Sequence, residues 1–167
     1  LTKLYVHEGE IIEKGQILAQ LDPTRFASNV GESASLLLAS QATAARLRAE
    51  VNGNALVFPS EVLKERSLVE EETALYHSRR SNLEESLAGL KQALALVEQE
   101  LQMTEPLVEK GAASEVEVLR LKRQATDLRN QMSDVRNQYS VKVREELAKA
   151  NTDIETQSQV VKGKSDS

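Results

Sequence analysis

Val62, Val69, Tyr76, Leu83, Leu90, Val97 and Thr104 recur seven residues apart without a break. On a strand, residues seven apart point to opposite faces, whereas on an α-helix they share one side. A second row, Leu87, Leu94 and Leu101, accompanies the upper part of the first. Two such rows form the narrow seam of a two-stranded coiled coil. Lower down, the counterparts of the second row are Arg66, Thr73 and Arg80, while Leu63, Leu68 and Leu75 widen the apolar face on another side. A wider stripe suits a bundle. The pattern predicts a helix over about 60–104 that meets two neighbours at its start and one near its end.

Pro106 and Gly111 then break the run, and a tip is expected at about 105–113. Ser114 is placed to cap the next helix, with Glu117 at capping-box spacing. That helix, about 113–160, carries the seam Val118, Leu121, Ala125, Leu128, Met132, Val135, Tyr139, Val143, Leu147, Ala150, Ile154, Gln157 and Val161. Three consecutive four-residue steps, from Val135 through Tyr139 and Val143 to Leu147, make a stutter that locally unwinds a left-handed supercoil. Both long helices should reach roughly 70 Å at 1.5 Å per residue. Near-equal helices joined by a short turn predict an antiparallel hairpin.

A shorter first helix is expected over about 24–52, opened by Pro23 and striped by Val30, Leu37, Ala44, Leu47 and Val51. Asn52-Gly53 ends it with a strong turn signal, and Pro59 is suited to open the next helix. Ala55 to Phe58 should lie extended across a neighbouring surface. The charge runs Glu70-Glu71-Glu72 and Arg79-Arg80 are expected on solvated faces.

Composition excludes several kinds of chemistry. The 167 residues include no Cys and two His, and carry a net charge of −5. A chain without cysteine has no disulfide framework and no thiol nucleophile. His7 and His77 are too few for a histidine metal site. A mildly acidic chain with 3% aromatic residues is poorly suited to nucleic acid. The residues offer no nucleophile constellation, phosphate loop or metal cluster, so an enzyme is not expected, and no cofactor.

Residues 1–22 have a different texture. Short β-branched runs separated by Gly9 and Gly15 predict strands near 3–7 and 17–21. The string Val6-His7-Glu8-Gly9-Glu10-Ile11-Ile12-Glu13-Lys14-Gly15-Gln16-Ile17-Leu18-Ala19-Gln20-Leu21-Asp22 resembles the first half of a biotinyl/lipoyl domain, with Gly9 and Gly15 at its turns. A carrier domain would present a modifiable lysine in Met-Lys-Met or Asp-Lys soon afterwards. Here the chain continues Pro23-Thr24-Arg25-Phe26, and Lys14 lies in the wrong turn. The expected organisation is therefore a lipoyl-like β half-domain over 1–22, a helical hairpin domain over 23–161, and a frayed end over 162–167. The fold class is mainly α, a long antiparallel coiled-coil hairpin with an extra N-terminal helix.

A half-lipoyl motif followed by a long helical hairpin resembles the haemolysin-D-type membrane fusion proteins, or periplasmic adaptors. The first helix and the Gly53 to Phe58-Pro59 connection resemble the type I secretion branch. The family's tip pattern, an Arg, a Leu, a Ser and often an Asp, is matched here at Leu107 and Ser114. Its Arg position falls on Met103, and its Asp on or near Leu119. The resemblance implies an adaptor bridging an inner-membrane ABC transporter and a TolC-type outer-membrane channel for protein export. Leu107, Gly111 and Ser114 would then form the channel-contacting tip. It further implies a ring, commonly of six copies, and a periplasmic location. One transmembrane segment is expected before Leu1, and the second lipoyl half beyond Ser167. An adaptor for drug or small-molecule efflux is the alternative. An unrelated coiled-coil scaffold is a third reading, against which the half-lipoyl motif argues.

Overall fold

The computed structural model describes the backbone of residues 8–165 and the side chains of residues 29–163. It holds four helices, α1 (Glu8–Asn52), α2 (Ser60–Leu63), α3 (Arg66–Glu109) and α4 (Glu115–Ser165). α3 and α4 form an antiparallel pair. Glu98 reaches Arg129 and Glu105 reaches Lys122, so the two chains run past each other in opposite directions. Every residue of the predicted α4 seam, Val118 through Val161, is at least partly buried. The same holds for both predicted rows of α3.

α1 joins only the lower half of this hairpin. It runs parallel to α3, with Thr43 and Arg46 beside Glu72 and Glu50 beside Arg79. It runs antiparallel to α4, where Ala44 and Leu47 pack with Val143 and Ala150, flanked by Val51, Tyr139, Leu147 and Ile154. A second face of α1, Ala42 and Ala45, packs with Phe58 and Val62. α3 thus has two neighbours at its start and one towards the tip, as the widening of its apolar stripe predicts.

Alanines explain how α1 fits. Ala42, Ala44, Ala45 and Ala49 are all buried, and short side chains let helix backbones approach closely. Gly53 ends α1 at φ 66°, a left-handed conformation suited to a residue without Cβ. The chain then doubles back. Phe58 is buried and Leu56 half-buried, while Ala55 and Val57 face out, the alternation of an extended segment.

Several expectations are corrected. The helix predicted from residue 60 is interrupted: α2 ends at Leu63, and Glu65 adopts φ −100°, ψ 86°. Val62 of α2 is buried with Ala42, Ala45 and Phe58, and Leu68 and Val69 of α3 pack against the same cluster. Leu63 and Leu75 remain exposed, so the widened face rests on Leu68 instead. α3 runs past Thr104 to Glu109 with Pro106 inside it. Proline removes one backbone donor, but so close to the helix end the remaining turn is closed by the cap described below.

The N-terminal expectation differs most. The strand predicted near 17–21 is helical, because α1 begins at Glu8 and runs through Gly9, Gly15 and Pro23. Those glycines are therefore not at turns. A strand needs a neighbouring strand to pair its backbone groups, and there is none among the described residues; a helix pairs them internally. The strand expected near 3–7 lies outside the described residues. At the other end, α4 continues through Lys162 to Ser165 instead of fraying at 162.

Candidate functional site

The tip is built by two opposed caps. At the end of α3, Gly111 has φ 74°. Its N–H donates to the Val108 carbonyl at 3.0 Å, and the Ala112 N–H donates to the Leu107 carbonyl at 2.8 Å. These two bonds are the paired signature of a Schellman motif, which satisfies carbonyls otherwise left open at a helix end. Three residues later Ser114 starts α4. Its Oγ accepts the Glu117 N–H at 3.3 Å, satisfying a first-turn donor. The turn is thus short and held from both sides.

Leu107 lies on the last turns of α3, 40% exposed, with Gly111 and Ser114 exposed beyond it. The structure brings these three predicted residues together at one end of the hairpin. Around them stand Met103, Val116 and Leu119, which are 67%, 70% and 61% exposed. Met103 and Leu119 are the two positions where the tip pattern departs from a charged residue. Both replace it with an apolar side chain facing outward. On one side of the tip a shallow notch of about 420 Å³ is lined by Val108, Val118 and Leu119 together with Glu105, Glu109, Glu115 and Lys122.

Where α1 ends, a polar layer crosses all three helices. The Glu50 side chain, 1% exposed, accepts from Arg46 on its own helix, from Arg79 Nε of α3 at 2.7 Å, and from the Tyr139 hydroxyl of α4 at 2.7 Å. Arg79 also forks onto Glu146, with Nη1 and Nη2 donating at 3.0 and 3.2 Å. Arg46 donates to Glu72, which also accepts from Thr43. No buried side-chain donor or acceptor among the described residues lacks a partner.

The layer tunes its own members. Burial pushes the Tyr139 hydroxyl up to about 12, and the Glu50 carboxylate adds to the rise while Arg79 opposes it. Burial would raise Glu146, but the Arg79 hydrogen bond and charge outweigh it and hold the carboxyl below its ordinary value. Such a layer is no strong source of stability, since removing charges from water costs much of what their attraction returns. Its specificity is greater. Small alanines set little register by shape, whereas Glu50 meets both Arg79 and Tyr139 in one alignment only.

The sequence reading placed Glu72 and Arg79 on solvated faces, and here they turn inward. Glu70, Glu71 and Arg80 do stay exposed. The available signal was spacing: Glu72 and Arg79 are seven apart and flank Tyr76 by four and three residues. His77 is exposed, with its ring edge-on to Tyr76 at 5.4 Å. Among the described residues, no helix is long and apolar enough to cross a membrane.

The chain is similar to the type I secretion system membrane fusion protein PrsE of Rhizobium meliloti (strain 1021), with 31% identity over 154 residues. The similarity covers 75% of this chain and 35% of that relative, so the chain spans about a third of its length. No family model matches the chain, and no solved structure matches it. The likeness is to a membrane fusion protein.

Proposed function

We propose that the chain is the hairpin region of a periplasmic adaptor of a type I secretion system. It bridges an inner-membrane ABC transporter and a TolC-type outer-membrane channel for protein export. The observation that carries this reading is the similarity to a type I secretion membrane fusion protein over 75% of the chain. The long hairpin with a capped, apolar tip supports it. α1, packed on the hairpin base, favours protein export over small-molecule efflux.

In this reading the parent protein is anchored in the inner membrane and its hairpins stand side by side in a ring, commonly of six. The chain makes and breaks no bond; ATP hydrolysis in the transporter supplies the energy. Leu107 and Ser114 meet the channel end, with Gly111 shaping the turn between them. A docking tip needs an exposed apolar anchor beside a small hydrogen-bonding group, and these residues supply both.

The test is a Ser114→Cys variant of the full-length protein, in a cysteine-free background, crosslinked in cells. A product with the outer-membrane channel is expected, and none from a mid-helix Gln131→Cys control. An expressed, export-competent variant that never reaches the channel would show that the tip docks elsewhere.

A further inference from the structure

We propose that the hairpin has a waist just above the end of α1, about which the tip-bearing arm flexes on a rigid three-helix base. The inference goes beyond the adaptor reading and does not depend on what the tip meets.

Burial along the seam is interrupted there. Towards the tip, α4 buries Leu121, Ala125 and Met132, and towards the base it buries Val143 and Ala150. Every α4 residue between Met132 and Val143 is half-buried or exposed, and so is every α3 residue beyond Tyr76. At the same level an open groove of about 340 Å³ lies between the two helices. Leu83 and Val135 are its apolar walls, while Arg79, Asn82, Ser86, Gln138, Tyr139 and Lys142, all ending in polar groups, complete the lining. A groove lined in this way holds water rather than closing on itself.

The backbone is permissive at this level too. Arg79 lies opposite Glu146 and Glu98 opposite Arg129, so Gly89 of α3 stands opposite the Val135–Tyr139 stretch of α4. A Cβ at Gly89 would meet nothing within 4 Å, so no close packing calls for glycine here. What a glycine in a helix interior does is leave the backbone freer than alanine would. On α4 the four-residue steps of the stutter begin at Val135, where the coil locally unwinds. Both helices therefore relax at one level.

Below this level the hairpin is braced. Glu50 ties α1 to Arg79 and to Tyr139, and Arg79 ties α3 to Glu146. Ala44 and Leu47 pack with Val143 and Ala150. Bending the base would shear all of these contacts at once, whereas above Asn52, where α1 ends, two helices bend alone. The step from three helices to two, the stutter, Gly89 and the wet groove coincide within about two helical turns. Few buried apolar contacts mark the segments of a protein that open first. The polar layer is thus the lower edge of the waist, and the tip swings on the μs–ms timescale of hinge motions while the base stays fixed.

Hydrogen–deuterium exchange of the full-length protein should show a minimum of protection over 82–89 and 135–142, with protection rising again at Leu121–Met132 nearer the tip. Protection that falls steadily from base to tip would overturn the proposal. Gly89→Ala should slow exchange in the waist about two- to fivefold, the gain in helix propensity read as a rate, and leave Leu121–Met132 unchanged. Equal slowing in both stretches would mean that the arm opens as one unit, and would likewise overturn it. Spin labels read the bending itself. In a cysteine-free background, Arg48→Cys with Gln99→Cys spans the waist and should give a broad distance distribution. Ala95→Cys with Lys110→Cys lies within the arm and should give a narrow one. Equal widths would leave no hinge at this level. Ser114→Cys crosslinking to the channel reads the adaptor role separately, and that role stands or falls independently of the waist.

Discussion

The Tyr139 hydroxyl donates to Glu50 Oε1 at 2.7 Å, joining residues 89 positions apart in the chain. The bond ties the last turn of α1 to the middle of α4. It does so at the level where three helices give way to two. Glu50 also takes Arg46 and Arg79, so one carboxylate organises the whole junction.

Removing that carboxylate should be costly. Glu50→Ala leaves buried Arg46 and half-buried Arg79 and Tyr139 each short of an acceptor, and breaking a buried pair in this way costs about 3–5 kcal/mol. Tyr139→Phe removes one hydrogen bond and should cost about 1 kcal/mol. Urea unfolding of both variants checks the order. Equal losses would mean that Glu50 is not the hub.

Acid and base should each loosen the junction by a different residue. The Glu146 carboxyl is held below its ordinary value of 4.5, so its contribution is present above that pH and fades as pH falls through the lower folded value. Glu146→Gln should flatten the acid limb of a stability profile. Tyr139 is raised from 10.0 to about 12, so its contribution is full below pH 10 and is lost as pH rises towards 12. Tyr139→Phe should remove that alkaline limb, and an unchanged limb in the variant would contradict the assignment.

Packing should matter unevenly along the hairpin. Leu47 is fully buried against Val143 and Ala150, and Leu47→Ala should cost about 2–5 kcal/mol through lost burial and a residual cavity. Leu63 is 58% exposed, and Leu63→Ala should change stability by less than about 0.5 kcal/mol. Thermal unfolding of the pair provides the comparison.

Two glycines should respond with opposite signs. A Cβ at Gly111 meets nothing within 4 Å, yet φ 74° strains any L side chain, so Gly111→Ala should cost about 1 kcal/mol. Gly89 lies in the middle of α3 with equal space and no such backbone constraint. Gly89→Ala should stabilise by about 0.5–1 kcal/mol by restricting the unfolded chain. A Gly111→Ala variant as stable as the parent would show that the tip turn has relaxed to another form.

The seams of α3 and α4 were legible because seven-residue spacing is a property of one helix read alone. The tip caps were legible for the same reason, since Gly111, Ser114 and Glu117 act within a few residues of each other. The second face of α1 was not. Ala42, Ala45 and Ala49 give no strong apolar signal, and only a close neighbour makes them core. The break at Glu65 carries no glycine or proline to announce it.

The sequence by itself determined that this chain makes long helices, where they bury their seams, and where the hairpin turns. Those features depend on periodicity and on local backbone bonds, both written in short stretches of residues. Only the tertiary structure decided that Glu72 and Arg79 leave the solvent, that α1 covers the lower half of the hairpin alone, and that residues 8–22 join it as helix. A charged side chain's burial depends on whether an opposite charge from a distant segment stands beside it. A strand likewise depends on a partner strand. Neither partner can be read from the residues that need it.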